Sequence, residues 1–139
     1  KGWLTHEIFA AIEASSFKED IVLTGFVADA DLSALYTGAD VFAFPSLYEG
    51  FGIPVLEALA CGTPVVCANN SSLPEAAGDA ALLANVADAD AFAAALQRLI
   101  TDEALRTELR QRGLRHAARF TWRRSAETLW QTYQQVLHG

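Results

Sequence analysis

Three short apolar runs, each stopped by a turn-forming residue, set the tightest limit on what this chain can fold into. Ile21–Thr24 runs into Gly25, Val41–Phe44 into Pro45, and Pro64–Ala68 into Asn69-Asn70. Runs of this length that barely alternate between polar and apolar residues are expected of strands covered on both faces. Helical patterns lie between and after them, and such a rhythm requires crossover connections. The expected fold is therefore α/β, a parallel sheet flanked by helices.

The helical signals are local and specific. Leu4, Ile8, Ala11 and Ile12 share one stripe, and Asp29 is placed to cap a short helix carrying Leu32, Leu35 and Tyr36. Ser72 and Glu75 have the spacing of a capping box. Phe92, Leu96, Leu99 and Ile100 recur behind Asp88, while Thr101 and Asp102 are placed to open a helix through Leu105 and Leu109. Behind Thr121, a candidate N-cap, Ala126, Leu129, Trp130, Tyr133 and Leu137 form the widest apolar stripe of all.

Composition narrows the function classes. With 139 residues, 52% of them hydrophobic, the chain can bury one core, and no repeat, low-complexity run or Gly/Ser linker divides it. The net charge of −7 opposes binding to a nucleic-acid backbone. That charge is lopsided: residues 101–139 hold seven arginines, expected to face water, a partner domain or phospholipid headgroups. No run reaches the roughly 18 apolar residues of a membrane span, and KGWLTHEIF lacks the apolar segment of a secretory signal. A cytoplasmic location follows as the expectation, with peripheral attachment to the inner face of a membrane left open. The chain starts at Lys1 and contains no Met, so it is expected to be a piece of a longer protein.

Cys61 and Cys67 fit neither a redox nor a zinc spacing and are expected to be buried, reduced thiols. His6, His116 and His138 are expected to be solvated, since no pair has metal-ligand spacing. Trp3, Trp122 and Trp130 are expected to pack in a core or against another domain.

The segment from Pro45 to Val66, PSLYEGFGIPVLEALACGTPVV, carries the chemistry. Gly50 and Gly52 flank Phe51 where a strand should turn into a helix at the ligand edge of an open α/β sheet, allowing positive φ and close backbone approach. Pro54 opens the helix, and Gly62 and Pro64 close it, bracketing Pro54–Cys61. Glu49 and Glu57 lie on either side of this bend, placed to face one crevice. A carboxylate accepts two hydroxyl hydrogen bonds at once and suits vicinal diols, while the free N–H groups of a helix N-terminus suit a phosphate. Diol plus phosphate describes a nucleotide or a sugar nucleotide.

EGFGIPVLEALACGTPVV, preceded by ADVFAFPS and followed by NNSSLPEAAGDAALL, closely resembles the carboxyl-terminal domain of retaining glycosyltransferases of family 4, which have the GT-B fold. IVLTGFVADADLSALYTGAD is similar to the strand, base-binding turn and short helix of that domain, and FTWRRSAETLWQTY to its terminal helix. The resemblance implies a Rossmann-like sheet. It implies that Glu49, the first acid of an E-x7-E motif, contacts the donor sugar as the catalytic carboxylate, and that Glu57, the second, holds the ribose. It implies that Gly50, Phe51, Gly52 and Ile53 form the loop whose backbone faces sugar and diphosphate, and that Val27 meets the base.

Further implications concern what accompanies this segment. The donor is expected to be a GDP- or UDP-sugar, with GDP-mannose favoured, used without a bound metal or other cofactor. The acceptor is expected to be a glycan or a lipid-linked sugar. The domain's first strand and helix, an Arg and a Lys for the diphosphate, and a separate amino-terminal domain are expected to precede residue 1, so this stretch alone is expected not to transfer sugar. Two alternatives stand beside this reading: a non-transferase GT-B relative such as a sugar-nucleotide epimerase, and a non-enzymatic nucleotide-binding α/β module. A phosphoacceptor module of the second kind needs an acidic cluster where this chain offers Asp40.

Overall fold

A computed structural model of the chain describes residues 6–138. Its centre is a three-stranded parallel sheet of order β1-β2-β3: β1 (Phe42–Phe44), β2 (Val65–Ala68) and β3 (Ala81–Ala84). Phe42 pairs with Val65 and Val65 with Ala81, and the register runs on to Ala68 opposite Ala84. The helices are α1 (His6–Ala14), α2 (Asp29–Gly38), α3 (Ile53–Ala60), α4 (Leu73–Ala77), α5 (Ala89–Thr101), α6 (Glu103–Ala117) and α7 (Trp122–His138). Among these helices, none is long and apolar enough to cross a membrane.

The central strand explains the two-layered core. Every residue of β2 is buried, and successive side chains point to opposite faces. Val65 and Cys67 pack with Val55, Ala58 and Leu59 of α3 and Leu73 and Ala77 of α4. Val66 packs on the other face with Phe92 and Leu99 of α5 and Leu109 of α6. Burying a Leu or Phe in such a layer contributes about 1.5–3 kcal/mol. Gly113 lets α6 lie close to α3, because a Cβ there would stand 2.9 Å from Leu59 Cδ2.

Local caps form where the spacing predicts them. Asp88 Oδ1 accepts from the Ala91 N–H, Asp102 Oδ1 from the Leu105 N–H, and Thr121 Oγ1 from the Arg124 N–H.

Other expectations fail for non-local reasons. Ile21–Thr24 is not a strand: it has no ladder partner among the described residues, and Val22 is 78% exposed. β-branched residues need a paired, half-covered surface to become a strand. Conversely, β3 is an Ala/Leu segment of low strand propensity that pairs because β2 offers it an edge. Ala28, extended at φ −68° and ψ 144°, is the N-cap of α2, which leaves Asp29 in the first turn, where its charge suits the helix dipole. Ser72 takes the αR conformation and makes no capping bond, so the capping box does not form.

His6 and His138 are exposed and Cys67 is buried as expected, but His116 and Cys61 depart from expectation. His116 is only 9% exposed: a ring nitrogen lies 3.0 Å from Ala76 O, and Gly78 leaves the ring its room. Cys67 is buried, but Cys61 sits half-exposed beyond the last turn of α3, and both thiols are free. Burial pushes the Cys67 thiol up to about 11. Trp122 and Trp130 are exposed along with the rest of the α7 stripe, so no core among the described residues covers them. Trp3, Leu4 and Lys1 lie outside the described residues.

Replacing Gly113 by Val should force α6 off α3 and destabilise the chain by about 1–3 kcal/mol. Urea unfolding of the two proteins checks this, and an unchanged midpoint would mean that the helix contact is dispensable.

Candidate functional site

The site is built on the connection between β1 and α3. Gly52, the N-cap of α3, is buried and takes φ +100°, a left-handed conformation that L side chains rarely adopt. A Cβ at this position would also stand 2.7 Å from Leu73 Cδ2. Gly50 is different: it is exposed, without positive φ, and open around its α-carbon, so the bend depends on one glycine rather than on the expected two.

Immediately after Gly52 the chain turns into α3, with Pro54 in its first turn. Gly52 O accepts from the Val55 N–H at 3.0 Å. Pro54 has no N–H, and the N–H groups of Phe51, Gly52 and Ile53 find no acceptor among the described residues. Ile53 itself is exposed. This is the free-donor end of a helix, favourable for an anion.

Glu49 is held from three directions. Its Oε1 accepts from Ser46 Oγ at 2.8 Å, its N–H donates to Ser71 Oγ at 3.1 Å, and its carbonyl accepts from Ser72 Oγ at 3.0 Å. Ser71 has φ 46°, the one positive φ outside glycine among the described residues, and this strained conformation accompanies its bond to Glu49. Ser72 donates its hydroxyl hydrogen to Glu49 O, and its αR backbone leaves its own helix without a side-chain cap. The connection after β2 thus fixes the connection after β1, and Asn70 Oδ1 beside it is buried without a donor.

Glu57, one turn into α3, has a single side-chain partner among the described residues. Its Oε2 accepts from the Tyr36 hydroxyl at 3.1 Å. Thr63 Oγ1 donates to Tyr36 O at 2.5 Å, and the Tyr36 ring packs edge-on against Phe42 at 5.2 Å, so α2, β1 and the end of α3 all position this hydroxyl. Burial, reinforced by the hydrogen bond and charge of Glu57, pushes Tyr36 up to about 12. The phenol therefore stays protonated at neutral pH and donates.

Neither glutamate forms an ion pair among the described residues. Both keep acceptor capacity. Val27 lies half-buried in the turn before α2, after Gly25 at φ 66° and the exposed Phe26, and no hydrogen bond joins it to either glutamate. Sequence reasoning missed Tyr36 and the serine clamp. Tyr36 was legible only as part of an apolar stripe, and Ser71 and Ser72 only as loop or cap residues. A groove of about 640 Å³ shares Phe51 with the bend, yet neither glutamate lines it.

The family described as glycosyl transferases group 1 matches residues 4–116. The chain belongs to this family. It is 43% identical over 122 residues to the O-antigen chain mannosyltransferase B of Escherichia coli, covering 88% of this chain and 32% of that protein. It is 41% identical over 108 residues to a D-inositol 3-phosphate glycosyltransferase of Corynebacterium jeikeium, covering 76% of this chain and 26% of the relative. The solved structure of sucrose-phosphate synthase from Thermosynechococcus elongatus superposes with a TM-score of 0.84 at 30% identity, over 94% of this chain and 34% of that one. The parallel sheet and its helices are thus the Rossmann-like half of a GT-B fold, and the chain spans about a third or less of these relatives.

Linkage at alkaline pH tests the Tyr36 environment. A group whose pKa rises on folding stabilises the protein fully below its unfolded value and loses that contribution as pH climbs through the folded value. For Tyr36 the window is about pH 10 to 12. In urea unfolding at several pH values across it, Tyr36→Phe should lose stability less steeply than the parent. Equal slopes would contradict the assigned environment.

Proposed function

We propose that this chain is the donor-binding part of a retaining hexosyltransferase that takes its sugar from a nucleoside diphosphate and passes it to a glycan or lipid-linked acceptor. The observation that carries the reading is the pairing of two glutamates, each held by a neutral hydroxyl instead of a cation, around a helix start with unclaimed N–H groups. Glu57 offers its free oxygen to the ribose diol. The N–H groups of Phe51, Gly52 and Ile53 meet the diphosphate, and Gly50 leaves room for the sugar above the loop. Val27 borders the base.

In this reading the diphosphate is the leaving group. Helix-end dipoles stabilise its growing charge as the bond to the anomeric carbon breaks. Glu49, immobilised by three serines, accepts hydrogen bonds from the sugar hydroxyls and orients the ring for attack on the face the diphosphate leaves. A second domain of the same enzyme supplies the acceptor side and excludes water. Mannose is the favoured hexose, since the 43% identical relative is named a mannosyltransferase. The donor is the only small molecule this scheme requires, with no role for a metal ion.

Calorimetric titration of the chain tests the proposal. GDP should bind more tightly than GMP or free mannose and equally well in EDTA. Glu57→Gln should weaken GDP roughly tenfold, about 1.4 kcal/mol. Glu49→Gln should leave GDP binding intact and reduce only the extra affinity that the sugar of GDP-mannose confers. Equal binding of GDP and GMP, or GDP binding indifferent to Glu57→Gln, would overturn the assignment. In a turnover assay the chain alone should not transfer mannose from GDP-mannose.

A further inference from the structure

Arg112, Arg115, His116 and Arg119, spaced i, i+3, i+4 and i+7, share one face at the end of α6 and the turn after it. Together with Asp79 they line a recess of about 190 Å³. Neither glutamate of the donor site nor any residue of the Gly52 bend lines it, and only Arg119 also reaches the wider groove along α7. The chain carries a net charge of −7, yet three guanidinium groups gather here around one lining carboxylate. Cations at a helix C-terminus suit its dipole. That role does not require a buried imidazole among them, and the last carbonyls of α6 are already claimed. Leu114 O accepts from the Ala118 N–H, His116 O from Arg119 and Ala117 O from Phe120.

The hydrogen-bonding inventory of the recess is mixed. His116 is nine-tenths buried against Gly78, where a Cβ would stand 2.5 Å from its Cε1, so α6 is pressed onto the turn that leads to Asp79. Its Nε2 lies 3.0 Å from Ala76 O. A carbonyl only accepts, so Nε2 carries the proton of the neutral ring, and Nδ1 is an acceptor with no partner among the described residues. Arg112 is already engaged: it donates to Asp79 O, lies 3.6 Å from Asp79 Oδ2 and pairs with Glu108. Arg115 and Arg119 are exposed and form no ion pair among the described residues. The groups left over are two guanidinium donors and two acceptors, His116 Nδ1 and the Asp79 carboxylate. Sulfate at neutral pH offers acceptors alone and is repelled by such a carboxylate. A phosphate that keeps one proton offers both ionised oxygens and an O–H, and it matches the set.

We propose that this recess binds a singly protonated phosphate group, inorganic or as a phosphate monoester, at a place separate from the donor site. Arg115 and Arg119 donate to its ionised oxygens, and its O–H donates to the acceptor pair of His116 Nδ1 and Asp79. The 15N-labelled chain is titrated at pH 7 and constant ionic strength with inorganic phosphate and, in parallel, with sulfate, followed by its amide and imidazole NMR signals. Phosphate should move the signals of Asp79, Arg115, His116 and Arg119 saturably and bind roughly tenfold more tightly than sulfate. The exposed double substitution Arg115→Gln with Arg119→Gln should weaken phosphate by at least about tenfold while leaving the urea midpoint unchanged. Vesicles distinguish the sources of the group. Sedimentation with phosphatidic acid but not phosphatidylcholine, lost in the double variant, supports the site with a lipid headgroup as its ligand; phosphate binding without sedimentation supports it with a soluble ester. The site is overturned if phosphate leaves these signals unmoved, if sulfate binds as tightly, if the double variant keeps its affinity, or if the shifts fall only on Phe51, Gly52 and Ile53.

Discussion

The left-handed turn at Gly52 is the constraint on which the site depends. It redirects the chain from the carboxyl end of β1 into α3 within a few residues, and it does so against Leu73 with no space for a side chain. Because of that turn, the first N–H groups of α3 stay unclaimed, Glu49 sits before the bend, and Glu57 falls one helical turn after it. Substituting any L residue at Gly52 would cost backbone strain, on the order of 1–3 kcal/mol, as well as a clash. The rest of the molecule supports this one geometry: α4 supplies Leu73, and the connection before it supplies the serines that grip Glu49.

The electrostatics follow from what is absent as much as from what is present among the described residues. A cation beside either glutamate would satisfy it and dull its use as a hydrogen-bond acceptor. Ser46 and Tyr36 fix the carboxylates in place while leaving their charge uncompensated. Such an arrangement suits a site that must grip hydroxyls. The arginines are segregated to α6, α7 and the turn between them, apart from one in α5; Arg112 and Arg123 face carboxylates, Arg106 the end of α5, and Arg119 and Arg124 the α7 groove.

What the sequence made legible was governed by short range. Caps at Asp88, Asp102 and Thr121 depend on residues three positions apart, and all three form. The bend and the bracketed helix α3 were legible for the same reason, because Gly and Pro act on their own dihedral angles. Contacts across the fold were not. Tyr36 meets Glu57 across 21 positions, Ser72 meets Glu49 across 23, and His116 meets Ala76 across 40. Each of these residues has an ordinary local reading that its distant partner overrides. Ile21–Thr24 and β3 make the same point in opposite directions, one a strand-like sequence without a neighbour and the other a neutral sequence given one. The motif around Glu49 escaped this limit only because the resemblance to a known family carried non-local information into the reading.

A crystal structure of the chain with GDP tests the central claim most directly. The account predicts the ribose hydroxyls on Glu57, the terminal phosphate on the N–H groups between Phe51 and Ile53, and Glu49 open beside it, still clamped by its serines. Nucleotide density lodged among the arginines of α6 and α7, with the Gly52 bend empty, would contradict it.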